Sequence, residues 1–398
     1  MNKLIYSVYF ILPLIFFWRA KPVIGRGKWN DEFLSLKQTK ALQGFLAICI
    51  MLHHIAQKTC ASWLFPKSRI IPGLEIFAPN GYLFVAVFLF FNGYGIYKSY
   101  SSKPNYLNGF VKKRILPVVL SLYTTGLIFF IARLILGEKM NGSQMALYLS
   151  SIKLCNPNTW YVIVLPFFYL AFYLSFKFFK NKDTAFFTSV LFVVVYMLAA
   201  TRVDHNDYWI RGEWWYNCVH LFPIGMIFAK FENRIVPHLK RHYLLYLILA
   251  FGLFYPLYLR SDYVLNIVSY YGENFNALDK VFRRRICLLS QMYVTCDFVF
   301  CFLLLSMKVK IGNKLLDFMG KITLEFYLIH GLFVELFDHE FCSVVPAPLP
   351  IKNVFLYVVA VYALGIPSAL LLQKLHHIIL RTNKKKTDID KNIEKKTA

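Results

Sequence analysis

Apolar residues gather into eleven runs separated by polar stretches: Leu4–Trp18, Ala41–Gln57, Tyr82–Tyr97, Leu116–Leu136, Trp160–Phe176, Ala185–Thr201, Tyr216–Ala229, Tyr243–Leu259, Ile286–Met307, Ile322–Phe337 and Val354–Leu380. About 17 to 25 apolar helical residues cross a bilayer core, so the pattern predicts an all-α, polytopic membrane helix bundle of about 11 transmembrane helices. The composition agrees: of 398 residues, 58% are hydrophobic, 18% aromatic and only 17% charged. That is too apolar for a soluble domain of this length.

Charge adds an orientation. Connections 19–40, 98–114, 177–182, 230–241 and 308–321, with the tail from Arg381, hold 29 of the 45 Lys and Arg residues, and the alternate connections hold 14. Positively charged short loops stay cytoplasmic, which predicts an outside amino terminus and a cytoplasmic carboxyl terminus. The same bias accounts for most of the +24 net charge, so no nucleic-acid partner is expected. The first run is preceded by Lys3 alone, is followed by six basic residues and ends without a small-residue cleavage site. It is expected to be a retained outside-to-inside helix rather than a signal peptide.

Residues 1–35 then form an extra amino-terminal helix with its basic loop, 36–381 one membrane domain, and 382–398 a disordered basic cytoplasmic tail. The two matching halves that mark many transporters are not visible. One outward connection breaks the charge rule with Arg260, Lys280, Arg283, Arg284 and Arg285. These residues either lie at headgroup level or form a basic mouth for an anionic acceptor. The eight cysteines lack Cys-x-x-Cys spacing and read as inert thiols, with an outer-side disulfide among Cys60, Cys155, Cys218 and Cys342 left open. No metal site or glycine-rich phosphate loop is visible.

Ionisable groups inside apolar runs mark functional candidates, and His53-His54 near the end of the second run is the clearest. Gln43 and His54 are eleven residues apart, three helical turns, so they share a face roughly 16 Å apart along the axis. A ligand from the cytoplasm would follow the stripe Gln43, Ala47, Ile50 and His54. His53 points elsewhere, into packing or a neighbouring hydrogen bond. In the tenth run Thr323, Tyr327 and His330 share a face, whereas Glu325 turns away from His330 and is suited to orienting another polar group. Asp297 and Arg133 also lie inside runs, where pairing with each other or with backbone is the bland reading.

Five segments in order resemble the membrane acyltransferase-3 family. They are Leu42-Gln43-Gly44 through His54, Phe88 to Ile96 with Asn92-Gly93-Tyr94, the basic lead-in Phe110 to Pro117, Thr159-Trp160-Tyr161, and Ile322 to His330 with Leu324-Glu325-Phe326-Tyr327. The family carries Arg where this chain has Gln43, which keeps a hydrogen-bonding group and loses the charge. It also carries Ser where this chain has Asn92.

The resemblance implies a ten-helix core and an O-acyltransferase of the bacterial inner membrane. Its donor would be acetyl-coenzyme A or another acyl-coenzyme A, with no metal. The acceptor would be a hydroxyl of a cell-surface polysaccharide or a lipid-linked saccharide. Such transfer needs a base, for which His54 is the first candidate and His330 the second. Gln43, His53, Asn92, Tyr94, Trp160, Glu325 and Tyr327 are candidates for substrate binding. Asn92, Tyr94, Trp160 and Tyr327 are also possible donors to the tetrahedral intermediate. Lys112, Lys113 and Arg114 either anchor topology or bind coenzyme A phosphates. No Ser-His-Asp order or reactive cysteine stands out, which favours direct transfer in a ternary complex. The rival reading is a transporter or flippase of a lipid-linked saccharide.

Overall fold

The computed structural model describes residues 2–268 and 277–397. Its α-helices follow in chain order: α1 Val8–Phe17, α2 Leu36–Thr59, α3 Gly81–Ser102, α4 Leu116–Ile135, α5 Gly142–Leu149, α6 Trp160–Phe178, α7 Lys182–Ala200, α8 Leu221–Lys230, α9 Glu232–Arg241, α10 Tyr243–Ile267, α11 Ala277–Lys308, α12 Lys314–Lys321, α13 Thr323–Phe337 and α14 Val354–Thr397. Strands are confined to two-residue pairs among the described residues. β1 (Lys21–Pro22) pairs antiparallel with β2 (Val309–Lys310), and β3 (Glu340–Phe341) with β4 (Val345–Pro346). The fold is the all-α helix bundle expected from the sequence.

Each apolar run lies on a helix. Among the described residues, seven helical segments are long and apolar enough to cross a membrane: α2, α6, α7, α10, Val111–Ile135, Asp279–Lys308 and Val354–Leu380. The runs at α1 and α8 give shorter apolar helices, and α3 and α13 carry the remaining two. The run Tyr216–Ala229 becomes helical only at Leu221, with Pro223 in the first turn of α8, where a proline forfeits no helical N–H. α14 carries helical backbone through the basic stretch read above as a disordered tail.

Polar residues set the helix starts. Ser35 Oγ accepts from the Gln38 backbone N–H, and Asn141 and Asn181 cap α5 and α7 in the same way. The Gln38 side chain also donates to Ile311 O at 2.6 Å and accepts from Ile311 N at 3.1 Å, tying the start of α2 to the segment before α12.

The chain divides into two compact units, Met1–Gly109 with Phe167–Lys321, and Phe110–Pro166 with Ile322–Ala398. In the first, α3 packs on α8, α2 on α12 and α3, and α10 on α11. α2 is its interior helix, with 83% of its apolar window buried. In the second, α13 packs on α14 and α4, and Phe129, Phe130, Tyr148, Cys155 and Phe341 form an apolar cluster.

Candidate active site

In the first unit, the segment Gln43-Gly44 sits where α2 crosses α12 backbone to backbone. A Cβ on Gly44 would lie 2.3 Å from Leu316 O, and one on Gly320 would lie 2.2 Å from Lys40 O. Only glycine permits that approach, which fixes the Gln43 end of the Gln43 to His54 stripe. Gln43 and His54 are both buried. His53 lies to one side: its Nδ1 donates to Phe77 O at 2.8 Å, and its ring covers Gly81, where a Cβ would come within 2.2 Å. Because a carbonyl only accepts, His53 carries its proton on Nδ1. This is the neighbouring hydrogen bond expected of His53, and it ties α2 to the start of α3.

The Asn92-Gly93-Tyr94 segment shows the same logic. A Cβ on Gly93 would lie 1.8 Å from Phe222 O, and one on Gly225 would lie 2.1 Å from Phe90 O, so α3 and α8 cross glycine to backbone. Asn92 is held from both ends, its amide donating to Phe88 O at 2.7 Å and its Oδ1 accepting from Tyr169 Oη at 2.6 Å. Tyr94 Oη donates to Glu232 Oε2 at 3.1 Å, beside the Lys98 to Glu232 ion pair at 2.6 Å.

In the second unit, His330 is fully buried and its Nδ1 donates to Phe326 O at 2.7 Å. In the neutral ring, Nε2 is therefore the nitrogen without a proton. Its ring lies edge-on to Tyr327 at 6.2 Å, Tyr327 meets Tyr161 at 5.8 Å, and Tyr161 meets Trp160 at 6.1 Å. Tyr327, Tyr161 and Trp160 thus form one aromatic wall leading to His330.

Glu325 turns to a group not singled out from the sequence: its Oε1 lies 3.5 Å from His376 Nδ1 on α14. His376 also faces Ser121 Oγ (3.2 Å, from Nδ1) and Thr124 Oγ1 (2.8 Å, from Nε2), both on α4. Lys112, Lys113 and Arg114 are exposed on a π-helical turn, Val111–Ile115, that runs straight into α4.

Other charged candidates have structural tasks. Arg284 is 1% exposed and donates to Val203 O, Thr201 O and Asp204, closing the end of α7. Lys280 joins it on Asp204 at 2.8 Å, holding that carboxyl below the usual carboxylate range. Arg283 pairs with Asp279 within α11. The basic cluster is therefore a clasp, not an open mouth. Arg133 pairs with Glu138 at 2.6 Å and donates to Cys155 O, rather than meeting Asp297. His220, also missed from the sequence, is buried with Nε2 3.1 Å from Thr295 Oγ1. All eight cysteines are free thiols, six of them buried, and no group of three or more metal-ligating side chains occurs among the described residues.

Searches of curated proteins and of solved structures find no match. A family model described as an acyltransferase domain, Acyl_transf_3, matches residues 38–374, from the first turn of α2 into α14. That span holds His54, the glycine crossings, the Tyr327 to Trp160 wall and His330, and on it the chain belongs to the acyltransferase-3 family of membrane acyltransferases.

Proposed function

We propose that this protein moves an acyl group, acetyl foremost, from acyl-coenzyme A to a hydroxyl of a cell-surface polysaccharide or glycolipid sugar. The observation that carries the reading is the acyltransferase match over residues 38–374, which includes the two buried candidate bases, His54 and His330. An alcohol attacking a thioester must lose its proton, and a neutral imidazole is suited to take it near physiological pH. His54 is the base of this proposal. His330 is the second candidate, supported by a tautomer that leaves Nε2 basic. Gln43 binds substrate on the stripe leading to His54, while Tyr327 and Trp160 line the approach to His330. Tyr94 and Asn92 bind substrate through their hydroxyl and amide groups.

Lys112, Lys113 and Arg114 hold the coenzyme A phosphates, for which exposed cations, Arg above all, are suited. The bacterial inner membrane is the proposed location, with the amino terminus outside and the carboxyl terminus cytoplasmic, as the Lys and Arg distribution supports. The donor then arrives from the cytoplasm and the sugar is modified outside. A protein accepting donor only at its outer face would contradict this part.

The test is transfer of radiolabelled acetyl from acetyl-coenzyme A by purified protein to a glycan or lipid extract of the source cell. Label in the acceptor fraction supports the proposal. Saccharide flux across vesicles without thioester consumption would replace it with a transporter.

A further inference from the structure

We propose that Thr124 carries the acyl group as an ester during transfer, with His376 as its base and Glu325 as the positioning acid. The inference rests on the acyl-coenzyme A donor reading above, stands as the covalent alternative to direct transfer with His54 as base, and concerns groups from three helices of the second unit. The proton positions follow from the hydrogen bonds. Ser121 Oγ gives its hydrogen to Pro117 O at 2.9 Å, so it meets His376 Nδ1 with a lone pair, and Glu325 meets the same nitrogen with a carboxylate oxygen. Two acceptors at Nδ1 place the proton there. With its proton on Nδ1 the ring presents Nε2 to Thr124 Oγ1 at 2.8 Å, and the hydroxyl reaches it as a donor once its hydrogen turns from Leu120 O, also at 2.8 Å. That is the tautomer a histidine needs to take a proton from a hydroxyl, with a carboxylate behind it to steady the imidazolium.

His376 is 3% exposed, Ser121 1% and Glu325 9%, whereas Thr124 is half-buried and is the most exposed of the four. Thr124 is also ten residues beyond Arg114, on the helix that continues from the basic turn, about 15 Å along it. A donor whose phosphates rest on the basic turn is thus directed along the helix that bears the hydroxyl.

In the first half-reaction Thr124 Oγ1 bonds to the thioester carbonyl carbon and its proton passes to His376 Nε2. The carbon–sulfur bond then breaks, and the departing sulfur takes the proton from Nε2. In the second, an acceptor hydroxyl gives its proton to Nε2 and its oxygen bonds to the acyl carbon. The bond to Thr124 breaks and Oγ1 recovers the proton. No oxidation or reduction is involved.

The experiment incubates the purified full chain with radiolabelled acetyl-coenzyme A without acceptor, quenches it in acid, and maps the label by peptide mass spectrometry. Transfer to acceptor is measured on the same preparations. Wild type and Thr124→Ser should label, and Thr124→Ala and His376→Ala should not. Their transfer should fall by at least about 100-fold, the usual weight of a nucleophile or base. The double variant should be no worse than either single one, because the two act as a unit.

Glu325→Gln, which keeps the volume, should slow label formation while leaving the KM for donor unchanged. If the substituted chains do not fold, the wild-type label and its position decide the matter. Transfer by wild type with no label on Thr124 under rapid quench, or wild-type transfer by folded Thr124→Ala, would overturn the inference and leave the acyltransferase reading standing. No transfer by wild type from any acyl-coenzyme A would overturn the donor reading and this inference with it.

Discussion

Replacing Gly93 or Gly225 by alanine tests how closely α3 and α8 must approach. The added Cβ at position 93 would stand 1.8 Å from Phe222 O, and that at position 225 would stand 2.1 Å from Phe90 O and 2.8 Å from Tyr94 N. Ordinary contact begins near 3.4 Å, so the helices must separate by more than 1 Å, and the obstacle is backbone that cannot rotate away. Overpacking of this kind costs about 1–3 kcal/mol, and the better helix propensity of alanine returns up to about 1 kcal/mol. Each single variant should therefore lose about 1–2 kcal/mol. Both substitutions jam the same crossing, so the double variant should lose clearly less than the sum. Asn92 and Tyr94 flank Gly93, and the bonds to Tyr169 and Glu232 should loosen together with acyl transfer. Thermal unfolding in detergent, read by intrinsic fluorescence beside the transfer assay, measures both. Wild-type midpoints in the single variants, or strictly additive losses in the double, would refute this account of the crossing.

Three further outcomes are expected. His53→Ala should leave Phe77 O without its donor and cost about 1–3 kcal/mol in unfolding experiments, while kcat stays near wild type because His53 serves packing. Arg114→Ala should raise the KM for acyl-coenzyme A with little change in kcat, and an unchanged KM would return the basic turn to topology alone. Asp204 contributes stability that is complete above its unfolded pKa of about 3.9 and fades as the pH falls through its lower folded value. Asp204→Asn should therefore be slightly less stable than wild type at neutral pH and equal to it in strong acid, a small gap because the carboxylate is exposed. A gap that grows on acidification would contradict the clasp.

Much of the architecture was legible from the apolar runs, because lipid imposes one secondary structure on them and hydropathy registers that directly. The places where the reading went astray share a cause. Arg283 to Arg285 could be read as lying at headgroup level or as a basic mouth, because sequence shows charge and not the carbonyls of Thr201 and Val203 that take up Arg284 or the Asp279 that pairs with Arg283. The glycines of Leu42-Gln43-Gly44 and Asn92-Gly93-Tyr94 could be listed as motif letters, but their purpose is a backbone contact with α12 and α8 that no local pattern encodes. His376 was passed over inside a run read only as a span. Its partners Ser121, Thr124 and Glu325 come from helices more than 50 residues away in sequence, so no serine–histidine–acid order was visible. Glu325 turning away from His330 was readable from helical periodicity, and its partner was not.

Acyl-coenzyme A consumption coupled to acceptor labelling, by wild type, His54→Ala and His330→Ala in parallel, tests the central claim most directly. The account predicts transfer by wild type and its loss in folded His54→Ala, with His330→Ala the weaker defect. Equal transfer by wild type and both variants would remove the histidines from the chemistry, and no thioester consumption by wild type with any donor would contradict the acyl-coenzyme A mechanism itself.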